Sequence, residues 1–263
     1  GTPWMTSTTT PTINLSGKQV TITAASGAKI YYTTNGTTPT TSSTEYTAPF
    51  ILSYSKNVKA IAVCDNYNNS AVAAKNCVFC SLPFSDVPSS QWYYATVAEV
   101  YERNVFKGTS ETAFSPDVNM TRADFVTAMG RLSDKDRANY EYEYGFSDVN
   151  EKDYYADYVN WAASGVVNGN GDGTFGPNQN ITREQVCVIM VRFADVMGIN
   201  LTATQAASSF SDSSFISSYA RDDVATAQKA GLINGKGSNL FDPQGSATRA
   251  EIATIIIRLI DKM

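Results

Sequence analysis

Two patterns of apolar and polar positions divide the chain. From Thr12 to about Phe79, short segments alternate with period two or run β-branched and aromatic: Gln19–Thr23, Lys29–Thr33, Phe50–Leu52, Val58–Val63, and a last strand led by Ala71–Ala73. Turn signals such as Asn35-Gly36 and the cluster at 65–70 separate them, which predicts five to seven strands in a small β-sandwich. From residue 81 the period lengthens. Counted from Thr121, the positions +4, +7, +8 and +11 are Phe125, Ala128, Met129 and Leu132. From Thr182 they are Val186, Ile189, Met190 and Phe193, and from Thr248 they are Ile252, Ile255, Ile256 and Leu259. These are three stripes at helical spacing, each too apolar to face water, so they are expected to bury one another in a central three-helix bundle.

The three stripes belong to an internal repeat. Seven residues before each threonine stands Phe114, Phe175 or Phe241; five before stands Pro116, Pro177 or Pro243; thirteen before stands Gly108, Gly169 or Gly235. Each copy opens with Phe-Ser-Asp, at 84–86, 146–148 and 210–212, followed by a Tyr-Ala pair (94–95, 155–156, 219–220) expected to start a first helix. The predicted fold is multidomain, all-β plus all-α: an N-terminal β-sandwich, then a pseudo-threefold helical domain of three helix-loop-helix repeats. The expected boundaries are a linker or expression start at 1–10, the β-domain at 11–80, and repeats at 81–142, 143–206 and 207–263.

Both halves resemble known families. Residues 27–39 (GAKIYYTTNGTTP), with Ser43, Tyr46 and Lys59–Ala62, resemble the chitobiase/β-hexosaminidase C-terminal domain family. That resemblance implies a fibronectin- or immunoglobulin-like accessory module without catalytic residues. Tyr31, Tyr32 and Tyr46 are core candidates first and sugar-stacking candidates second. The three repeats resemble the S-layer homology domain, on Phe-Ser-Asp with Trp92 or Tyr154 downstream, the Asn168-Gly169 exit, Phe-x-Pro and the Thr-Arg motif. This implies an extracellular bacterial module that anchors surface proteins non-covalently to pyruvylated secondary cell-wall polysaccharide, in grooves between repeats.

Charge and composition narrow the chemistry. The net charge is −5, from 20 basic and 25 acidic residues without a basic cluster, which argues against nucleic acid. No apolar run approaches the ~18 residues that span a bilayer, so membrane insertion is not expected. The chain has no histidine, which removes Ser-His-Asp and Cys-His catalysis and histidine metal sites. No catalytic residues, metal or cofactor are expected. Cys77 and Cys80 have redox spacing without a βα context and read as small residues at a β-domain edge; a bond from Cys64 to either stays open. Cys187 reads as core. The loop Asn168–Thr174 mimics a calcium loop, but Gln179 stands at the twelfth position, which favours a plain Asx/Gly turn.

Thr-x-x-Glu is a capping box, fitted by Asp124 and Glu251 and, with an amide, by Gln185. The arginine beside it needs another reason, because a cation at a helix start opposes the dipole. Arg122, Arg183 and Arg249 either pair with the aspartate of a neighbouring Phe-Ser-Asp or, beside free helix-start N–H groups, form a carboxylate site. The resemblance favours the second, a pyruvyl ketal carrying one carboxylate. The candidate glycan-binding set is Arg122, Arg183 and Arg249, with Asp86, Asp148 and Asp212 for hydroxyls, Trp92, Tyr154 and Tyr219 for ring stacking, and Gly108, Gly169 and Gly235 in the adjoining turns. Two other roles remain: self-association into a surface lattice, or the anchoring part of a larger extracellular polysaccharide-degrading enzyme.

Overall fold

The computed structural model describes residues 6–133 and 145–263. The outermost residues of the expected linker, 1–5, lie outside them. Thr6–Thr8, also expected in that linker, are instead tied to the β-domain: Thr8 N–H and Oγ1–H both donate to Asn68 O at 2.9 Å.

The chain forms two compact units, 1–103 with 107–114, and 104–106 with 115–263. Among the described residues the first holds seven strands: β1 (Thr12–Ser16), β2 (Gln19–Thr23), β3 (Lys29–Thr33), β4 (Thr44–Glu45), β5 (Phe50–Ile51), β6 (Lys56–Val63) and β7 (Ala73–Cys77). They pair in two sheets, ordered β1-β2-β5 and β4-β3-β6-β7, all antiparallel. Alternation puts Ile13, Val20 and Ile22 of one sheet and Ile30, Val58, Ala60 and Cys77 of the other into one core. Tyr32 stacks on Phe50 at 4.6 Å and meets Tyr46 edge-on, so two of the three tyrosines are packing residues. Cys64, Cys77, Cys80 and Cys187 are free thiols, so the bond from Cys64 is not formed.

The first unit also contains helix α1 (Tyr94–Glu102) of repeat one. Lys56 Nζ of β6 meets Glu99 Oε1 at 2.7 Å, and Arg103 Nη2 meets the same oxygen at 2.8 Å. Ser55 N–H and Oγ–H donate to the Glu102 carboxylate at 2.8 and 2.7 Å, and Arg103 lies over the Tyr54 ring. A buried ion pair cannot slide without stranding a charge, so these contacts bind α1 to the β-domain.

The second unit holds α2 (Arg122–Leu132), α3 (Ala156–Ala163), α4 (Arg183–Met197), α5 (Arg221–Lys229) and α6 (Arg249–Ile260). All of the stripe residues on α2, α4 and α6 are buried except Leu132, which is half-buried. Helix α2 packs on α3 and α4 on α5, in each case the first helix of the following repeat; Gly130 of α2 lets the Tyr158 ring of α3 approach where a Cβ would lie 2.4 Å from it. The first helices start at Tyr94, Ala156 and Arg221, capped by Tyr93, Tyr155 and Ala220. The Tyr-Ala pairs are therefore not in equivalent register. The buried cap position, not the tyrosine itself, sets the helix start, and it makes Trp92, Tyr154 and Tyr219 true counterparts.

The starts of α2, α4 and α6 are joined in a ring. The first two helical N–H groups of α2 donate to Gln179 O and Pro177 O of repeat two at 2.9 and 3.1 Å. Those of α4 donate to Gly245 O and Pro243 O of repeat three at 2.9 and 3.1 Å. Those of α6 return to Val118 O and Pro116 O of repeat one at 2.9 and 3.0 Å. Helix-start donors that otherwise seek solvent are thus satisfied by the next repeat, which closes the pseudo-threefold arrangement.

Candidate functional site

Each threonine caps its helix as its position requires, accepting from the N–H three residues on, at 3.1 Å in α2 and 3.3 Å in α4 and α6. With the first two N–H groups bound across the ring, the helix starts hold no free donor for a ligand. This corrects the expectation that backbone N–H groups complete a carboxylate site there.

The arginines leave the helix axis and reach into the following loop. Arg122 Nε donates to Phe175 O at 3.0 Å and Nη2 to Asn168 O at 3.3 Å. Arg183 repeats the pattern with Phe241 O and Asn234 O, both at 2.7 Å. The guanidinium carbons lie 4.9 and 5.2 Å from the Phe175 and Phe241 ring centroids, and that of Arg249 lies 5.6 Å from the Phe106 ring centroid. Burial lowers the affinity of Arg122 and Arg183 for their protons, so each is a desolvated cation.

The Phe-Ser-Asp aspartates make their hydrogen bonds within their own repeats, while the charges of Asp148 and Asp212 also act on Arg122 and Arg183 of the preceding repeats. Asp148 accepts from Phe175 N–H and Gly176 N–H at 2.7 and 2.8 Å; Asp212 accepts from Phe241 N–H and Asp242 N–H at 2.9 and 2.7 Å; Asp86 accepts from Phe114 N–H at 2.9 Å. The residue after each phenylalanine, Ser115, Gly176 or Asp242, has φ between 58° and 75°, a turn that the carboxylate pins. A Cβ on Gly108, Gly169 or Gly235 would come within 2.8 Å of the Phe84, Phe146 or Phe210 ring, so these glycines serve close packing. In the loop from Asn168, Asp172 Oδ1 accepts from Thr174 N–H and Oγ1–H at 2.9 and 2.6 Å, the Asx turn that the sequence favours.

Among the expected residues, Arg122, Gly169 and Tyr219 come together around one cavity of about 330 Å³. Val188 and Ile189 of α4 form part of its wall, and Gln185 and Arg192 line it too. The lining holds two guanidinium groups and no carboxylate. Tyr219 is 55% exposed, and its hydroxyl donates to Glu184 at 2.9 Å. Burial and that carboxylate push the phenol up to about 12, so it stays a neutral donor and stacking surface. Arg249, Tyr154 and Asp124 form a separate cluster: Tyr154 OH donates to Asp124 Oδ1 at 2.5 Å, and Arg249 Nη1 lies 3.6 Å from Oδ2. Trp92, in the first unit, is 57% exposed.

Arg192 was not singled out by motif. Its signal is present nonetheless, because Arg131, Arg192 and Arg258 each stand ten residues after the threonine. Arg131 and Arg258 donate Nη1 to Val105 O and Leu232 O at 3.4 and 3.2 Å. Among the described residues Arg192 donates to no backbone carbonyl, and it faces the cavity.

The S-layer homology domain profile matches residues 83–126, 145–187 and 209–253, just over half the chain. The chain belongs to the S-layer homology family. An Fn3-associated profile matches 20–77, the β-domain. An amylopullulanase of Thermoanaerobacterium thermosulfurigenes is 35% identical over 68% of this chain and 10% of its own length. An endoglucanase of Bacillus sp. is 33% identical over 70% of this chain and 19% of its own. A cellulosome-anchoring protein of Acetivibrio thermocellus is 26% identical over 59% of this chain and 35% of its own. The chain thus spans a small fraction of these relatives. S-layer homology regions are surface-anchoring modules, and this is a cell-surface protein. Among the described residues no helix is long and apolar enough to cross a membrane.

Proposed function

We propose that the protein anchors to the bacterial wall by binding an acidic, pyruvylated glycan, with the cavity at Arg122, Arg192 and Tyr219 as the principal site. The observation that carries this reading is that two guanidinium groups line a cavity whose lining includes no carboxylate. With a net charge of −5, attraction to an anionic polymer has to be local. A ketal carboxylate bridging the two arginines restores the solvation that Arg122 lost on burial, and Tyr219 offers its ring face to the pyranose. Val188 and Ile189 suit the ketal methyl group.

Wall sacculi from an S-layer-bearing bacterium, before and after mild acid removal of pyruvate, test the reading by pull-down. Pyruvate-dependent capture is expected. Capture indifferent to pyruvate excludes the acidic-glycan mechanism and favours lattice self-association or a neutral wall ligand.

A second reading concerns the polypeptide around this region. The amylopullulanase and endoglucanase share only 10% and 19% of their lengths with it. This supports a role as the non-catalytic anchoring part of a longer polysaccharide-degrading protein, which the coding sequence on either side of the region decides.

A further inference from the structure

The three positions that follow the capping threonines at +3 do not behave alike. Gln185 Oε1 folds back to accept from Thr182 N–H at 3.2 Å, and Glu251 Oε2 accepts from Thr248 N–H at 2.8 Å. Both complete a capping box. Asp124, one methylene shorter, does not: Thr121 caps α2 without the return bond. The carboxylate turns outward, takes the Tyr154 hydroxyl at 2.5 Å on Oδ1, and faces Arg249 Nη1 at 3.6 Å on Oδ2.

Arg249 and Tyr154 are the repeat counterparts of Arg122 and Tyr219, whose surroundings include a cavity, a neutral Gln185 withdrawn to its cap, and Glu184, which takes the Tyr219 hydroxyl at 2.9 Å. We propose that Asp124 is a tethered carboxylate occupying, in cis, the anion position of a second acidic-glycan site built from Arg249 and Tyr154, which is therefore latent in the native chain. This rests on the reading of the Arg122 cavity as the open site. Asp124 Oδ1 does for Tyr154 what Glu184 does for Tyr219, and Oδ2 adds what Glu184 is not seen to make, the contact toward the guanidinium that a ligand carboxylate would take. The charge of Arg249 is already answered by the Asp124 carboxylate. An incoming anion has to displace a group held at an effective concentration of roughly millimolar or more, so only tight ligands would enter.

The chain therefore carries unequal sites, and a single side chain sets the difference. Asp124→Gln should rebuild copy one in the image of copy two. The longer amide reaches the Thr121 N–H, completes the capping box and clears the space between Arg249 and Tyr154.

The test is calorimetric titration of the whole chain with the methyl glycoside of a pyruvyl-ketal hexose, with its carboxyl methyl ester as the uncharged control. The native chain is expected to bind one molecule, and Arg192→Ala to bind it roughly 10- to 100-fold more weakly. Asp124→Gln is expected to bind two, returning to one when Arg249→Ala is added, with no binding of the ester. Asp124→Ala serves as a second unmasking variant, and circular dichroism with a melting curve verifies that each variant is folded. If the native chain binds one molecule and both folded Asp124 variants also bind one, the masking is wrong while the open-site reading survives. If the native chain already binds two, with one lost in Arg249→Ala, the site is not latent and the proposal falls. If the native chain binds none and Asp124→Gln binds one that needs Arg249, masking is right and the open-site reading is wrong. Absence of binding in every variant overturns both.

Discussion

An arginine at the first position of a helix works against the peptide dipole, and each of the three here is compensated by what its side chain reaches. Arg122 spends Nε and Nη2 on Phe175 O and Asn168 O while its plane lies near a buried phenylalanine. It is therefore at once a tie between repeats and a desolvated cation at the cavity wall. Removing it confounds stability with binding, and Arg192 separates the two. Arg192→Ala should weaken binding of an acidic glycan by roughly 10- to 100-fold, the value of one charge-assisted contact, with no measurable change in melting temperature. Arg122→Ala should lose binding and also lower the melting temperature, because the buried Phe175 carbonyl loses its donor. Calorimetry paired with thermal denaturation of both variants checks this; equal destabilisation in the two would place Arg192 among the structural arginines.

At the scale of elements, the second helices owe their positions to both ends of each connection. The capping threonine starts α4, and the neighbouring Glu184 extends its reach to repeat three. Glu184 is 1% exposed and accepts from Ser217 N–H at 3.0 Å and Tyr219 OH at 2.9 Å. Burial alone would raise its pKa, but the bonds from Ser217, Gln244 and Tyr219 outweigh burial and hold it below the usual 4.5. A carboxyl whose folded pKa is depressed contributes stability above about 4.5 and loses it as the pH falls through the folded value. Glu184→Gln should therefore melt below the native protein at pH 7, with the gap closing as the pH falls below 4.5. Melting curves across that range measure it; a gap independent of pH would mean that shape rather than charge holds the contact.

The whole molecule divides differently from its repeats. Helix α1 belongs to repeat one by motif and to the β-domain by packing, through Lys56, Glu99 and Arg103. Glu99 and Lys56 are both buried, so Glu99→Ala leaves a buried ammonium without its partner carboxylate. Breaking such a pair from one side costs about 3–5 kcal/mol. Differential scanning calorimetry of Glu99→Ala should show the first unit melting earlier while the transition of the second is unmoved. A common shift of both would mean that the two units unfold as one.

Much of this architecture is written in local pattern. The strands Gln19–Thr23 and Lys29–Thr33, the three capping threonines and the buried stripes were all legible, because period, turn residues and caps act within a few residues of themselves. The candidate site was legible only in its members. Arg122, Gly169 and Tyr219 stood out by recurrence, but three copies of one motif look alike in sequence. Their difference arises across the fold, where each helix start meets a different neighbour. The ring of backbone bonds consumes the N–H groups that motif reasoning left free, Gln185 turns to its cap, and the shorter Asp124 turns to Arg249 and Tyr154. Composition and spacing determine that there are three repeats and a surface family; which side chains come to line a cavity is decided by contacts between residues far apart in the chain, which no local rule contains.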